Sequence, residues 1–564
     1  MTKQLIECVP NISEGRDMDK INEIAHIVET VEGVKLLDID PGAATNRTVI
    51  TFVGEPQPVI DAAFLLIQKA AELIDMSQHS GEHPRFGATD VCPLVPISGI
   101  TLEETAEYAH KLGVRVGNEL GIPGYFYEKA AKTEVRQNLA NCRSGEYEGL
   151  KEKLSSTDWA PDFGPAEFND RVKGSGATAI SARDFLVAYN INLNSTSTRR
   201  ANAIAFDIRE AGRVKREGNK ITGKIIKDAD GNPEKVPGLL KAVKGIGWYI
   251  EEYGIAQISY NLTNISITSV HEAFDQTVIA AQKRGIRVTG SELIGLIPLQ
   301  AMLDAADYFL KKQERSLGVS EEEKIKIAIK SLGLDDLKPF NPNEKIIEYV
   351  LRDQTSTPLL NMNLREFANE TAGESPAPGG GSISAYVGAL GVSLGTMVAN
   401  LSAHKRGWDD RWEEYSEWAV KGDYFKERLL ALVDEDTNAF NKIMDAFKLP
   451  KDSDEEKELR QQAIQDATKY AIEVPIHVME NALASMEVMN AMVDMGLQSS
   501  LSDAAVGALC ARTAIMGAYL NVKINTADLK DEAFKAEMLQ KGGEMEKTAL
   551  HLEQEILNKV NLKL

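Results

Sequence analysis

The hydrophobic period of this 564-residue chain changes once along its length, and that change restricts its fold more than any other feature. In the first half, short runs rich in β-branched residues alternate with amphipathic stretches: VKLLDID, RTVITFVG, then PVIDAAFLLIQKAAELID, then DVCPLVPIS. Runs of period two between runs of period 3.6 read as strands and helices in turn. A connection rich in Gly, Pro and Asp, PDFGPAEFNDRVKGSGATA, interrupts the alternation, which resumes in FLVAYNINLN, STRRANAIAFDIREAG and AQISYNLTN. From Val319 the pattern is helical, and Leu351 to Leu359 (LRDQTSTPL) has the composition of a linker. Beyond it, long amphipathic runs broken mainly at Gly and Pro continue to the C-terminus with no strand pattern. One hydrophobic core does not extend over a chain of this length. The expected architecture is therefore multidomain: two α/β (α+β) lobes at residues 1–181 and 182–350, a linker at 351–359, and an all-α domain at 360–564.

Charge narrows the partners. With 84 acids against 63 bases the formal charge is -21, which opposes a general affinity for nucleic acid, so an anionic ligand has to find a local basic patch. One such island runs from Arg209 to Lys244, with ten Lys or Arg against five acids. Its plain reading is a solvated hairpin loop. The four cysteines, Cys8, Cys92, Cys142 and Cys510, lie too far apart for a metal knuckle or a dense disulfide framework and read as reduced thiols. The opening MTKQLIECVPNISEGRD lacks the basic start and apolar run of a secretory signal, so a cytoplasmic location is expected. Ile383 to Ala403 is uncharged and long enough to span a bilayer, but Ser384, Ser393, Thr396, Asn400 and Ser402 dilute its hydrophobicity. With no second span evident, the expectation is a buried helix and no membrane.

The segment SQHSGEHPRFG (Ser77–Gly87) holds two of the eight histidines. His79 and His83 have the i,i+4 spacing of a helical zinc pair, yet Gly81 and Pro84 oppose a helix and no third ligand is evident, so no metal is expected. His83 reads either as a general base in a loop at a cleft mouth or as part of a polar surface turn. Asp40, closing the VKLLDID strand, could orient a histidine or bind an amidinium, and could equally be a turn residue. Arg16, Arg47 and Arg85 could clamp carboxylates or form ordinary salt bridges. In the helical half, SPAPGGGS ends in Gly379, Gly380, Gly381 and Ser382, where the backbone can approach a ligand closely and a helix N-terminus follows. Within YFKERLLALVDEDTNAFNKIMDAF, Leu429, Val433, Phe440, Ile443 and Phe447 form an apolar stripe whose missing member is Asp436. An acid so placed faces the core and has a raised pKa, while Asp434 and Glu435 are expected to project elsewhere as solvated acids.

The strings ECVPNISEGRD, LLDIDPGAATNRTVITFVG, SGEHPRFGATDVCPLVPISG and GIGWYIEEYGIAQISYNLTN resemble the glutamate formiminotransferase family over nearly all of residues 1–350. The strings LREFANETAGESPAPGGGSISA, LVDEDTNAF and GAYLNVKIN resemble the formimidoyltetrahydrofolate cyclodeaminases and their methenyltetrahydrofolate cyclohydrolase relatives. Together they follow the order of the bifunctional formiminotransferase-cyclodeaminase family. That resemblance implies transfer of a formimino group from N-formimino-L-glutamate to N5 of tetrahydrofolate, then closure to 5,10-methenyltetrahydrofolate with loss of ammonia. It also implies His83 and Asp436 as the catalytic residues, and a folate site that includes Gly164, Pro165, Ala166, Glu167 and Phe168. The implied co-substrate is a polyglutamylated tetrahydrofolate, and the implied assembly a ring-shaped homo-octamer. On this view the basic island becomes a track for the γ-linked glutamate tail. Two other readings stand beside it: a formyl-group transferase fused to a methenyltetrahydrofolate cyclohydrolase, and a folate-binding protein without catalysis.

Overall fold

A computed structural model describes residues 4–42, 46–80, 85–218, 223–228, 231–351, 357–527 and 529–564. His83, Lys220 and residues 352–356 of the linker lie outside the described residues. Two compact units emerge from the packing: residues 1–298 with 334–339 and 344–347, and residues 299–333 with 340–343 and 348–564.

The first unit holds two sheets. In the larger, strands β1 (Leu5–Cys8), β2 (Asn11–Ile12), β3 (Val34–Gly42), β4 (Arg47–Gly54), β5 (Thr89–Ser98), β6 (Gly124–Glu128) and β7 (Thr178–Ala182) run in the order β3, β4, the β1/β2 pair, β5, β7, β6. Strands β3, β4, β1 and β5 pair antiparallel, whereas β5, β7 and β6 pair parallel. The run VCPLV (Val91–Val95) in β5 is apolar on both faces because it lies inside this sheet, where the strand is buried from Thr89 to Val95. Helix α1 (Met18–His26) starts at the Asp17 cap, α2 (Pro56–Leu73) starts on a proline, and α3 (Leu102–Arg115) starts on a Thr101/Glu104 capping box. The buried face of α2, including Val59, Phe64, Leu66 and Ile67, joins Ile6, Phe52 and Leu94 of the sheet in one core.

The second sheet is antiparallel and four-stranded. It comprises β8 (Val187–Leu193), β11 (Val243–Ile250), β12 (Ile255–Leu262) and β13 (Val288–Ile294), in the order β11, β12, β8, β13. A small hairpin, β9 (Arg213–Val214) with β10 (Lys235–Val236), lies within the basic island. Helices α4 (Thr198–Ile208) and α5 (Val270–Gln282) cover this sheet, and the buried Tyr260 hydroxyl lies 3.0 Å from Thr277 Oγ1 of α5.

The second unit is helical: α6 (Leu299–Lys312), α7 (Glu321–Leu332), α8 (Gly380–Ala403), α9 (Trp412–Lys448), α10 (Asp454–Met495), α11 (Leu501–Asn525) and α12 (Glu532–Lys563). The sequence alone puts residues 299–333 in the second α/β lobe; their packing joins them to this helical unit. The contact is made by small residues. Leu317 N–H donates to Ser416 Oγ at 2.9 Å, Asn400 Nδ2 donates to Gly318 O at 2.7 Å, and a Cβ on Gly318 would lie 2.2 Å from Ala419. Glycines 388, 391 and 395 of α8 do what their helical spacing predicts, meeting Ala514, Gly507 and Met489 at close range.

Two features differ from the sequence reading. A second helix, Gln498–Asn525, passes the same length and hydropathy test as Gly380–Ala403; half or more of each apolar window, 50% and 61%, is buried inside the unit. The alanines that, with the glycines, let α8 and α11 pack closely also raise the hydropathy of these helices. In α9, the apolar stripe is buried only at Leu429 and Val433, whereas Phe440 and Phe447 are 42% and 49% exposed.

Candidate functional site

In the first unit, the NISEGR turn and Asn46 are tied to Ser80, which immediately precedes the undescribed residues 81–84. The Glu14 carboxylate of the NISEGR turn accepts the backbone N–H groups of Gly15, Arg16 and Asp17 at 3.0, 2.9 and 3.1 Å. Gly15 N–H then donates to Asn46 Oδ1 at 2.9 Å, and Asn46 Nδ2 donates to Ser80 O at 2.9 Å, just before the undescribed Gly81–Pro84 segment. Asn46 takes a left-handed backbone with φ 50, a conformation that Asn tolerates better than most side chains. His79 Nε2 lies 3.0 Å from Asn46 O. A carbonyl only accepts, so this contact fixes the proton on Nε2 and leaves Nδ1, which is buried without a described partner, as a bare acceptor. Burial pushes the His79 pKa down, and the charges of Arg85 and Arg16 push the same way against the Asn46 bond and Glu14.

Arg85 extends the frame toward the folate loop suggested by the resemblance. Its Nη2 donates to Glu148 Oε1 at 2.6 Å, and its guanidinium lies 5.9 Å from the centre of the Tyr147 ring. The Tyr147 ring stands 6.4 Å from Phe168, and its hydroxyl donates to Lys173 O at 2.6 Å. Gly164, at the start of that loop, has φ +76, and a Cβ there would lie 2.3 Å from Ile122 O. From this pivot Ala166 and Glu167 are exposed, while Pro165 and Phe168 are half-buried. The residues that follow form a short helix, Asp170–Ser175, capped by Asn169.

Arg47 is not an open clamp. Its Nη1 meets Asp90 Oδ2 at 2.5 Å, and its Nε and Nη2 both donate to Asn11 Oδ1, at 3.0 and 2.8 Å. Arg143 reaches the same Asp90 oxygen at 2.9 Å, so two guanidiniums share one carboxylate that is 1% exposed. Neither Asp90 nor Arg143 stands out in the sequence, because nothing in a linear pattern shows that strand β5 and the 141–144 turn converge on Arg47. Asp40 lies on β3 opposite Val49, exposed. Burial first, and the Asp40 charge second, raise the carboxyl pKa of Asp38, an electronegative setting that favours a cationic group.

The site in the helical unit is described throughout. Ser382 N–H donates to Asp436 Oδ2 at 2.9 Å, and Ser382 Oγ donates to the same oxygen at 3.2 Å. This joins the first turn of α8 to the middle of α9. Gly379 is the N-cap of α8, and Gly380 faces Asn521 of α11, whose Nδ2 would lie 3.1 Å from a Cβ there. A Cβ on Gly381 would sit 2.0 Å from Asp436 Oδ1, so only glycine lets the carboxylate occupy its place. Gly381→Ala should therefore displace Asp436 and cost about a hundredfold in any reaction that uses it, since a shift near 1 Å has that effect. Comparing the helical unit's activity with thermal stability checks this: a folded variant at full activity would make the glycine a packing residue only.

Asp436 is half-buried, and burial raises its pKa against the two Ser382 hydrogen bonds. The neighbouring acids are not the solvated pair expected from sequence. Asp434 is 4% exposed and accepts N–H groups from Leu359 at 2.9 Å and Leu360 at 3.2 Å, while Glu435 accepts the Tyr470 hydroxyl. The chain entering the helical unit packs over α9, and its free N–H groups need an acceptor that an apolar stripe cannot supply. Asp434→Ala should strand these donors and cost about 1–3 kcal/mol, read as a lower unfolding midpoint of the helical unit. Among the described residues no group of three or more His, Cys, Asp or Glu stands in a metal-binding arrangement.

Comparison with known proteins places this geometry. Family models match in chain order: a formiminotransferase domain, N-terminal subdomain, at residues 5–183; a formiminotransferase domain at 188–352; and formiminotransferase-cyclodeaminase at 363–544. The chain is 42% identical to the formimidoyltransferase-cyclodeaminase of Mus musculus over 533 residues, covering 94% of each chain. It is 40% identical to the glutamate formimidoyltransferase of Streptococcus pyogenes, covering 55% of this chain and 95% of that one. A methenyltetrahydrofolate cyclohydrolase of Methylorubrum extorquens is 32% identical and covers 32% of this chain and 86% of its own.

Proposed function

The chain belongs to the formimidoyltransferase-cyclodeaminase family, and on that premise we propose that it moves a formimino group from N-formimino-L-glutamate to tetrahydrofolate and then cyclises the product with release of ammonia. The observation that carries this reading is the Asp436 carboxyl, half-buried, raised in pKa, and held by Ser382 at a glycine-built helix N-terminus. Closing the 5,10-methenyl ring requires N10 to bond to the formimino carbon, N10 to lose its proton, and the amine nitrogen to leave as ammonia. A neutral carboxylic acid is the proton donor that the departing amine needs, and burial shifts Asp436 in that direction by raising its pKa above its ordinary value.

In the transferase unit, His83 is the proposed proton carrier. N5 of tetrahydrofolate bonds to the amidine carbon and loses a proton, the bond to the glutamate nitrogen breaks, and that nitrogen gains a proton; one imidazole serves both transfers. The frame of Asn46, His79 and Arg85 supports this assignment by anchoring both ends of the segment that carries it. Gly164, Pro165, Ala166, Glu167 and Phe168 contact folate in this proposal, Arg47 and Arg85 supply positive field for substrate carboxylates, and Asp40 favours the amidinium.

The reaction belongs to histidine degradation and one-carbon metabolism, the second step is that of a lyase, and the chain acts in the cytoplasm as a homo-oligomer, in the family's ring an octamer. Exposed apolar side chains on α8 (Leu390, Met397 and Leu401) and α11 (Val506, Leu520 and Ile524) support contact with further copies. The folate carries a γ-glutamate tail held by the basic island, and no metal takes part. Incubating the purified chain with N-formimino-L-glutamate and tetrahydrofolate tests the core of this: ammonia and 5,10-methenyltetrahydrofolate should appear in equal amounts. Turnover of an N-formyl donor without ammonia would replace this reading with the formyl-transferase one.

A further inference from the structure

The basic island does not spread its charge evenly. Lys215 is paired with Glu234 at 2.7 Å, and Lys241 with Glu210 at 3.7 Å. The arginines behave differently. Arg199, Arg209, Arg213 and Arg216 converge on one cavity of about 250 Å3 between α4 and the β9 hairpin, with Asn202 and Phe206 in its wall and no acidic residue among those lining it. Arg209 donates to the backbone carbonyls of Gly212 and Gly245 at 3.0 and 3.1 Å, and Arg216 to Gly223 O at 2.9 Å. Behind them, the single Asp207 carboxylate is shared by Arg213 and Arg284.

Among the described residues, four guanidiniums therefore line the cavity and a fifth stands behind it, with the Asp207 carboxylate paired to two of the five, in a chain whose formal charge is -21. Carbonyl partners orient Arg209 and Arg216 without neutralising them, and Phe206 supports Arg209 with its ring centre 4.0 Å from the guanidinium. Burial lowers the pKa of Arg209; burial first, and the neighbouring Arg284 charge second, lower that of Arg213. The space holds roughly eight waters' worth of ligand, enough for two carboxylates on a short chain or for a diphosphate.

We infer that this cavity is an oxyanion site for a small ligand carrying two or more carboxylate or phosphate groups, held by the Arg199, Arg209, Arg213 and Arg216 forks. One source of such groups is the γ-glutamate tail, which rests on the function proposed above; the other is a free phosphate-bearing metabolite, which does not. Titration calorimetry of the full chain with free tri-γ-glutamate and with inorganic pyrophosphate separates them. Binding of tri-γ-glutamate alone assigns the site to the folate tail, and binding of pyrophosphate alone keeps the oxyanion site while removing the tail from it. The double variant R199Q/R216Q should weaken whichever probe binds by about tenfold or more, as expected for losing charge-assisted hydrogen bonds. R199K/R216K, which keeps the charge but not the fork, should fall between it and the parent. If the glutamine variant does not fold, the lysine variant decides: weaker binding supports the site and parental binding overturns it. No binding of either probe to the parent chain, or parental affinity in a folded R199Q/R216Q, reduces the arginines to a structural cluster. Ammonia release by the parent chain from formiminoglutamate and tetrahydrofolate is measured separately, so that failure of this site and failure of the proposed function are distinguishable.

Discussion

Asp436→Asn lowers ammonia release from supplied 5-formiminotetrahydrofolate by about 10²–10⁴-fold, the usual worth of a positioned general acid. The substitution preserves shape. An asparagine oxygen still accepts the Ser382 N–H, so the turn joining α8 to α9 remains closed. What disappears is the ability to donate a proton as an acid. Stability should not suffer, and the sign can be worked out. A carboxyl whose folded pKa is raised above its unfolded value costs stability once the pH exceeds the unfolded value, and the uncharged amide escapes that cost. Formimino transfer, carried by the other unit, should be unchanged, so 5-formiminotetrahydrofolate accumulates. Parental ammonia release by this variant would remove Asp436 from the mechanism.

The same carboxyl sets a pH signature. If Asp436 donates the proton, single-turnover cyclisation falls as pH rises through its pKa, which lies above the ordinary carboxylate range because burial outweighs Ser382. Ser382→Ala removes the Oγ hydrogen bond that lowers this pKa, so the falling limb should move to higher pH. A limb that rises with pH would make Asp436 a base instead.

How much of this was legible beforehand depended on whether a residue's role is local or made by convergence. The change from alternating to helical period is local, and it correctly separated two sheet-containing lobes from long helices. Gly388, Gly391 and Gly395 were also readable, because a helix repeats its faces regardless of its partner. Asp436 stood out by its place in an apolar stripe, yet the stripe itself is buried only toward Leu429 and Val433; the same pattern misread Asp434, which is buried by the chain at Leu359 and Leu360 rather than by another helix. The arginine cavity is the opposite case. Arg199 and Arg216 are separated by a helix and a turn, and a charge count over residues 209–244 detects the island without showing that Lys215 and Lys241 are paired and the arginines gathered. The Arg47–Asp90–Arg143 cluster joins three distant segments, and only the sheet order brings them together.

His83→Ala should abolish formimino transfer, by about 10²–10⁴-fold, while cyclisation of supplied 5-formiminotetrahydrofolate stays at the parental rate. His83 lies outside the described residues, and the residues on either side of it are held. Ser80 is held by Asn46, and Arg85 by Glu148 beside Tyr147, which leaves four residues to bridge two fixed points. Within this frame the other histidine is a poor rival. The Nε2 of His79 is committed to the Asn46 carbonyl, and burial lowers its pKa. Its task is to hold Asn46, and through Asn46 the Gly15 and Ser80 anchors, so His79→Gln should weaken transfer through positioning and raise KM more than it lowers kcat. His83→Ala should act on kcat, and added imidazole should restore part of the rate, because a free base can enter the vacated space whereas a missing anchor cannot be replaced from solution. Loss of both activities in a folded His83→Ala protein would mean that the two units do not work independently, and undiminished transfer would return the proton chemistry to another residue of the frame.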